Sequence, residues 1–290
     1  MTHVPVLLEP VLEWLAVVPD GIYVDATFGA GGHSQAILQR LNRGRLIVLD
    51  ADPMAAERAN AIGDPRLTFV QANFRELDSV LERLGVESID GALFDIGVSS
   101  MQLDDGNRGF SFTKEAPLDM RMNAHAGQSA YDVLSTASER ELADIFFHFG
   151  EERAARRIAH AIVERRSAGA LPTTTTEFAS LVSGVVHRPG HRERVHPATR
   201  VFQALRIAVN DELDALRDGM HAAIGRLRKA GRVVVISFHS LEDRIVKQTF
   251  RGDERLEVLT KRPVVADDTE RSANARSRSA KLRAARRKAS

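Results

Sequence analysis

The sequence predicts an α/β protein, an open Rossmann-like parallel sheet interrupted by an inserted helical domain. Three observations predict this fold. Short apolar runs alternate with amphipathic helices over the first hundred residues, the alternation then stops, and one strong β-branched run returns at 232–238. Continuous apolar strands separated by helices are typical of a parallel sheet that is covered on both faces.

The elements follow in order along the chain. Strands are predicted at 22–26, 46–49, 67–70 and 89–96, with helices at 34–41, from Pro53 onward, and at 76–84. Proline is tolerated at the first turn of a helix, which fixes the start of the second one. Helices then follow at 138–149 and 151–166, after the threonines 173–176, and at 198–229 before the fifth strand.

We interpret the helical stretch as an insertion into one sheet, because a tandem helical domain would leave that sheet without its last strands. The predicted core is 1–103 with 198–290, and the predicted helical substrate-recognition domain is 104–197. Residues 271–290 hold eight Lys or Arg and no acid. We expect a mobile basic tail that either binds the phosphates of a polyanion or only keeps the protein in solution.

Composition excludes several classes of protein. The chain has 40 Lys and Arg against 39 Asp and Glu, and it has no cysteine. Disulfides, iron–sulfur clusters, cysteine zinc sites and thiol nucleophiles are therefore excluded. No apolar run reaches about 18 residues, and Glu9 and Glu13 interrupt the first apolar stretch. We therefore expect a cytoplasmic protein with no membrane span and no signal peptide.

A glycine loop at 25–33, DATFGAGGH, joins the first strand to its helix. Glycines let a ligand approach the backbone, although such loops are often only tight connections. The dinucleotide fingerprint would need a third glycine where Ser34 stands, and no P-loop Lys-Ser/Thr follows. The loop alone therefore indicates a nucleotide site without choosing the nucleotide.

Aspartates end three of the predicted strands, namely Asp25, Asp50 and Asp95. Asp50 suits the ribose diol of either NAD or S-adenosylmethionine, since a carboxylate accepts both hydroxyl protons. Asp25 would repel a pyrophosphate but can serve a cationic amino-acid group, directly or through the loop. The three acids together favour S-adenosylmethionine over NAD, although any one of them could simply cap a helix.

Longer motifs resemble a known family. They are HVPVLL at 3–8, DATFGAGGHS at 25–34, the segment 95–112, PLDMRM at 117–122, the segments 196–213 and 236–247, and the basic end at 271–287. Together they resemble the bacterial 16S ribosomal RNA cytosine-N4 methyltransferases of the MraW/RsmH family. The resemblance covers essentially the whole chain. It implies a class I methyltransferase sheet with a helical insertion, which methylates the N4 amine of a cytidine in the decoding centre of the small ribosomal subunit.

The resemblance also implies which residues bind the cofactor, S-adenosyl-L-methionine. They are Gly31, Gly32 and His33 in the loop, Asp50 on the ribose, Phe74 against the adenine, and Asp95 and Gln102 at the edge of the site. A lone Phe after a strand is more often a core residue than a stacking platform. No residue at metal-ligand spacing accompanies His33, so no metal is expected. A homodimer is left open.

Methylating a cytosine amine requires an acceptor for the amino proton, because the nitrogen lone pair is delocalised into the ring. Many amino-methyltransferases place a (D/N/S)PP(Y/F) motif after the fourth strand, whereas this chain has Asp95-Ile96-Gly97-Val98. Asp95 is therefore a candidate acceptor, a cofactor ligand or both. Asp119 in PLDMRM is the second catalytic candidate.

Candidate substrate contacts follow the fourth strand. Phe110 and Phe112, with Arg108 nearby, would hold an extruded base, or the two rings could instead seal the insertion against its core. Arg121 is a candidate phosphate contact. Such a base must leave its stack before a methyl donor can reach it, which is why aromatic and Arg planes are the candidates.

Further candidates follow the fifth strand. His239 and Ser240 would face the same crevice, and Ser240 with Asp243 also fits a capped helix start. Two other functions remain open. A methyltransferase with a different acceptor keeps every cofactor argument, whereas a non-catalytic RNA-binding assembly factor would explain the missing proline motif.

Overall fold

The computed structural model of the chain describes residues 5–98, 100–186 and 196–289. The helices in these ranges are α1 Leu8–Leu15, α2 Gly32–Arg40, α3 Ala55–Ile62, α4 Leu77–Arg83, α5 Ser100–Asp104, α6 Ala130–Thr136, α7 Glu139–Gly150, α8 Ala155–Ser167, α9 Thr175–Val186, α10 Ala198–Asn210, α11 Glu212–Arg226, α12 Ser240–Gly252 and α13 Asp268–Ala273. The strands are β1 Ile22–Asp25, β2 Arg45–Asp50, β3 Leu67–Gln71, β4 Ile89–Asp95, β5 Leu227–Ser237, β6 Leu256–Val258 and β7 Lys281–Arg287. None of these helices is long and apolar enough to cross a bilayer.

The chain divides into two compact units. The sheet unit comprises Met1–Gly97 and Leu213–Ser290, and the helical unit comprises Val98–Glu212. The predicted insertion at 104–197 lies within the helical unit. Every strand of the sheet lies in the sheet unit.

The sheet has seven strands in the order β3-β2-β1-β4-β5-β7-β6. The first five strands pair in parallel, and β7 runs antiparallel to both β5 and β6. Strand order reverses between β1 and β4, and ligands of open α/β sheets bind beyond the carboxyl ends of the strands at that point. This arrangement confirms the predicted class I, Rossmann-like fold.

The basic C-terminal segment is part of the sheet, so the prediction of a mobile tail is wrong. Leu282, Ala284 and Ala285 in β7 are fully buried. Arg283 is 6% exposed because its guanidinium binds the Asp243 carboxylate on α12, with Nε 2.6 Å from Oδ1. An opposite charge supplied from another element allows this basic run to be buried with few large apolar side chains.

The helix predicted at 198–229 is also wrong, because the structure divides that stretch into α10, α11 and the start of β5. Asp211 separates the two helices with a left-handed φ of 49°. Asp tolerates this conformation better than most residues, since its short polar side chain can bond to the local backbone. The β5 strand begins at Leu227, five residues before the predicted start at 232.

The helical unit has its own apolar core. Helices α7, α8, α9 and α10 bury Phe146, Phe178 and Leu205 completely, and Phe202 almost so. Gly150 ends α7 where its hypothetical Cβ would lie 2.6 Å from the carbonyl oxygen of Arg200 on α10. This close approach needs glycine, because any side chain there would force the two helices apart.

Candidate active site

The glycine loop is built so that two positions exclude any side chain. Gly31 has a φ of 79°, and a Cβ there would lie 2.7 Å from the Phe28 ring. A Cβ on Gly32 would lie 2.4 Å from Cγ of Pro5. Arg58 on α3 holds the loop, with its Nε donating to the carbonyl of Gly29 over 3.0 Å. The loop is therefore fixed with its backbone close to the start of α2.

Asp50 ends β2 with a carboxylate that is already oriented by the backbone. Its Oδ2 accepts from the N–H of Gly29 at 2.8 Å, and its Oδ1 accepts from the N–H of Asp52 at 2.9 Å. Burial raises the pKa of Asp50 to about 6. A carboxylate offers about four acceptor positions, so room remains for two further donors such as the hydroxyls of a diol.

Asp25 ends β1 and is enclosed, at 1% exposure. Its carboxylate accepts from Oγ of Ser34 at 2.6 Å and from the N–H of Thr27 at 3.1 Å. Burial raises the pKa of Asp25, while the Ser34 hydrogen bond and the nearby His33 oppose that rise. Both of its hydrogen-bond donors belong to the 25–34 segment, so Asp25 acts on the site through the loop.

Asp95 ends β4 beside the same loop. Its backbone N–H donates to Oγ1 of Thr27 over 2.6 Å, which ties the end of β4 to the end of β1. Its carboxylate Oδ2 lies 3.6 Å from Nδ1 of His33, and its side chain keeps 19% exposure. The glycine loop, Asp50 and Asp95 thus stand at the carboxyl ends of neighbouring strands.

Phe74 begins a short 3-10 turn after β3, as the sequence predicts for an aromatic at that place. It is half-buried, and its ring meets Phe94 edge-on with centroids 5.8 Å apart. A Cβ on Gly219 of α11 would lie 2.9 Å from Cδ2 of Phe74. The ring therefore packs partly as a core residue, and its incomplete burial leaves part of its surface accessible.

His239, and not Ser240, caps α12, so that detail of the prediction is wrong. The side chain of His239 accepts from the N–H of Glu242, and Oε2 of Glu242 accepts in return from the N–H of His239 at 3.1 Å. Glu242 is 1% exposed and also accepts from the N–H of Phe238 at 2.7 Å. The imidazole thus performs the capping role that usually falls to Ser, Thr, Asp or Asn.

The helical unit contains the remaining candidates. Asp119 and Arg121 form a bidentate ion pair of 2.7 and 2.9 Å beside an open cleft of about 310 Å³. Burial tends to raise the pKa of Asp119, but the hydrogen bonds from Arg121 outweigh it and the pKa is lowered. Arg108 donates to the carbonyls of Arg121 and Met122, and Gln102 is buried.

The two phenylalanines contribute to the core of the helical unit. Phe110 is 8% exposed and belongs to the buried cluster. The Phe112 ring lies 4.8 Å from the rings of both His196 and Phe202, measured between centroids. This packing favours the sealing role over the base-holding role.

The comparison with known proteins decides the family. Residues 1–288 match the model of the MraW methylase family. This chain belongs to the MraW methylase family. The "Ribosomal RNA small subunit methyltransferase H" of Deinococcus deserti is 52% identical over 99% of this chain and 94% of that protein. The protein of the same name from Geobacter sulfurreducens is 49% identical over 98% of both. An rRNA methylase of known structure from Streptococcus thermophilus is 12% identical, with a TM-score of 0.46 over 99% of both chains. Membership in the MraW family confirms the predicted methyltransferase.

The residues of this MraW-family site fit S-adenosylmethionine. A Cβ at Gly31 or Gly32 would collide with Phe28 or Pro5, so only glycine lets the loop backbone pack in this conformation at the start of α2. Asp50 is held with acceptor positions free for a ribose diol. Nothing in the loop provides the lysine that a triphosphate would need.

Sequence reasoning missed several residues that build this MraW-family site. Thr27, Arg58 and Ser34 position the loop and its acids, and Glu242 anchors the cap of α12. Only Thr27 and Ser34 lie within a motif that the sequence singled out for the cofactor. Arg58 sits in an ordinary amphipathic helix, and no local pattern distinguishes it from a solvated arginine.

Proposed function

We propose that this MraW-family protein transfers a methyl group from S-adenosylmethionine to the N4 amine of a cytidine in 16S ribosomal RNA, within the decoding centre of the small subunit, in the cytoplasm. One observation carries the proposal. Asp50 and Asp95 end the strands on either side of β1, at the carboxyl edge of a class I sheet, and both are hydrogen-bonded to the segment that carries the glycine loop. The relatives named as small-subunit ribosomal RNA methyltransferases support the choice of RNA.

The residues of the chain have separate tasks in this reaction. When bound, the cofactor supplies a methyl group activated by a sulfonium charge. Gly31 and Gly32 bring the backbone close to it, Asp50 accepts the ribose hydroxyls, and the accessible part of Phe74 lies against the adenine. His33 and Gln102 complete the proposed cofactor set. The proposed substrate contacts are Arg108, Arg121, His239 and Ser240.

Asp95 is the proposed proton acceptor. As the nitrogen–carbon bond forms and the carbon–sulfur bond breaks, the amino proton passes to the Asp95 carboxylate. The alternative, Asp119, is less suited, because its ion pair with Arg121 lowers its pKa and makes it a weaker base. Oδ2 of Asp95 lies 3.6 Å from Nδ1 of His33.

The test is transfer of labelled methyl to small ribosomal subunits that lack the modification, followed by nuclease digestion and mass spectrometry of the nucleosides. We expect N4-methylcytidine from the wild-type protein. Asp95→Ala should lower kcat by about 10²–10⁴, the usual contribution of a positioned acid or base. Asp119→Asn is the matched comparison and should retain far more activity.

Three outcomes would contradict the proposal or the role that it gives Asp95. A protein that binds S-adenosylmethionine in calorimetry but methylates neither subunits nor free 16S RNA acts on another acceptor. A protein that binds RNA but no cofactor is the non-catalytic assembly factor. If Asp119→Asn proves as damaging as Asp95→Ala, Asp95 loses its assignment as sole acceptor.

A further inference from the structure

The N-terminal segment, residues 5–7, lies directly against the glycine loop. Val6 and Leu7 are each 1% exposed, and Pro5 closes over Gly32. Leu7 has a φ of 53°, a left-handed conformation that is unfavourable for a residue with a side chain. Such a conformation persists only where surrounding contacts impose it, and these residues cluster at functional sites.

Two side chains hold this segment in place. Nε2 of His33 lies 2.9 Å from the carbonyl oxygen of Val6. Oε1 of Glu270, in α13 near the other end of the chain, accepts from the N–H of Leu7 at 2.8 Å. Leu7 precedes the first turn of α1, where backbone N–H groups have no intrahelical partner, so Glu270 supplies a partner that the helix cannot.

The carbonyl partner of His33 decides which of its two ring nitrogens carries the hydrogen. A carbonyl oxygen only accepts, so Nε2 carries the hydrogen whenever it binds Val6. The other nitrogen, Nδ1, is then the atom that can gain or lose a proton. It lies 3.6 Å from Oδ2 of Asp95, and the two side chains are 7% and 19% exposed.

The groups that act on this ring electrostatically come from two strands. Asp95 approaches from β4, and Asp25 from β1 interacts with both His33 and Asp95. Residues 5–7 carry no charge, and Glu270 binds the N–H of Leu7 in this segment. The position of the imidazole, and with it the surroundings of Asp95, thus depends on the segment that Glu270 fixes.

We propose that residues 5–7 form a latch, fixed by Glu270, that sets the position of the His33 imidazole beside the Asp95 carboxylate. Glu270 fixes the latch, the latch fixes the His33 ring, and the ring holds Nδ1 as a proton acceptor 3.6 Å from Oδ2 of Asp95. When Asp95 has taken the amino proton, Nδ1 of His33 shares it, which leaves an imidazolium beside a carboxylate. His33 and Glu270 are positioning residues in this scheme. The inference rests on the acceptor role of Asp95 given under the proposed function.

The first experiment compares Glu270→Ala with Glu270→Gln, whose amide oxygen can still accept from Leu7. Glu270→Ala should speed hydrogen exchange at the Leu7 amide about tenfold, as the loss of one hydrogen bond predicts. It should also lower kcat about tenfold while KM for the RNA stays nearly constant, because misplacement acts on the chemical step. Glu270→Gln should restore both readings. Glu9→Ala, an exposed acid in the first turn of α1, is the matched control and should change neither.

The second experiment separates the hydrogen bond between His33 and Val6 from the proton transfer to Nδ1 of His33. His33→Gln keeps an N–H donor for Val6 but has no nitrogen that titrates. We expect it to alter the acid limb of the pH profile of kcat, whereas Glu270→Ala lowers kcat without changing the shape of the limb. A role limited to stability would lower Tm and leave that profile as in the wild type.

The inference fails if Glu270→Ala keeps wild-type exchange at Leu7 and wild-type kcat, if Glu270→Gln is no better than Glu270→Ala, or if His33→Gln keeps the wild-type acid limb. Failure of the proposed function looks different, because then the wild-type protein methylates no cytidine. Hydrogen exchange at Leu7 and cofactor calorimetry on the same variants would still decide whether the latch holds the loop.

Discussion

Asp50 makes cofactor affinity depend on pH in a direction that the structure fixes. Burial raises its pKa from an ordinary value of 3.8 to about 6, and this rise corresponds to about 3 kcal/mol. The carboxylate accepts two backbone N–H bonds and keeps acceptor positions for the ribose hydroxyls. Only the ionised form can accept from both hydroxyls, so protonation and cofactor binding compete. Affinity for S-adenosylhomocysteine should therefore be constant above pH 7 and fall about tenfold from pH 7 to pH 5.

The assay is isothermal titration calorimetry between pH 5 and pH 8, with Asp50→Asn as the matched variant. Asparagine has a similar shape but does not titrate, and it should weaken binding at pH 7.5 by about 1.5–3 kcal/mol, the contribution of hydrogen bonds to a charged group. Any slope that remains in Asp50→Asn belongs to other groups, including Asp25. Equal slopes in the two proteins would refute the assignment of Asp50 to the ribose.

The raised pKa of Asp50 makes the stability of the cofactor-free protein fall with rising pH, whereas cofactor affinity rises. A carboxyl whose pKa is raised by folding destabilises the fold once it ionises, so this contribution to the free energy of unfolding decreases as pH rises from about 4 to about 6. Asp50→Asn cannot ionise, but its –NH2 group also cannot accept one of the two backbone N–H bonds, which costs stability at every pH. Relative to the wild type, its free energy of unfolding should therefore rise by up to about 3 kcal/mol between pH 4 and pH 7. Denaturant unfolding of both proteins at these two pH values measures the change.

Two further predictions concern β7. Leu282→Ala should lower the free energy of unfolding by about 2–5 kcal/mol, as for other fully buried leucines, whereas Arg278→Ala on the exposed surface should change it by less than about 0.5 kcal/mol. Arg283→Ala removes the guanidinium that lies 2.6 Å from the Asp243 carboxylate, while Lys281 lies at 3.8 Å, and the change should cost about 3 kcal/mol. Denaturant titration measures both changes. If the loss in Arg283→Ala comes from the unneutralised Asp243 carboxylate, adding Asp243→Asn should recover part of it.

The sequence predicted the parallel half of the sheet well, because its signals are local. The apolar run that becomes β2 is followed at once by Asp50, and the glycine loop marks the turn after β1. Local signals of this kind also placed Asp25 and Asp95 at strand ends. The carboxyl edge of the sheet was therefore predictable before any coordinates.

The C-terminal strand was not predictable in this way, because its burial depends on a distant partner. KLRAARR is typical of a solvated basic run, and the acid that pairs with Arg283 is Asp243, forty residues earlier. Asp211 likewise ends α10 through its left-handed φ, although the apolar residues at helical spacing continue past it. No pattern of residues in the sequence indicates that angle. The His239 cap was missed because Ser240 beside it is the more usual capping residue.

The position of β7 between β5 and β6 has a consequence for synthesis of the chain. All six other strands precede β7 in the sequence, yet β5 has no neighbour on that side until β7 is made. A nascent or trimmed chain that ends before Lys281 exposes the fully buried Val234 of β5 at an open sheet edge. Open edges of this kind recruit other chains and aggregate. Loss of β7 therefore yields a substrate for chaperones and proteases.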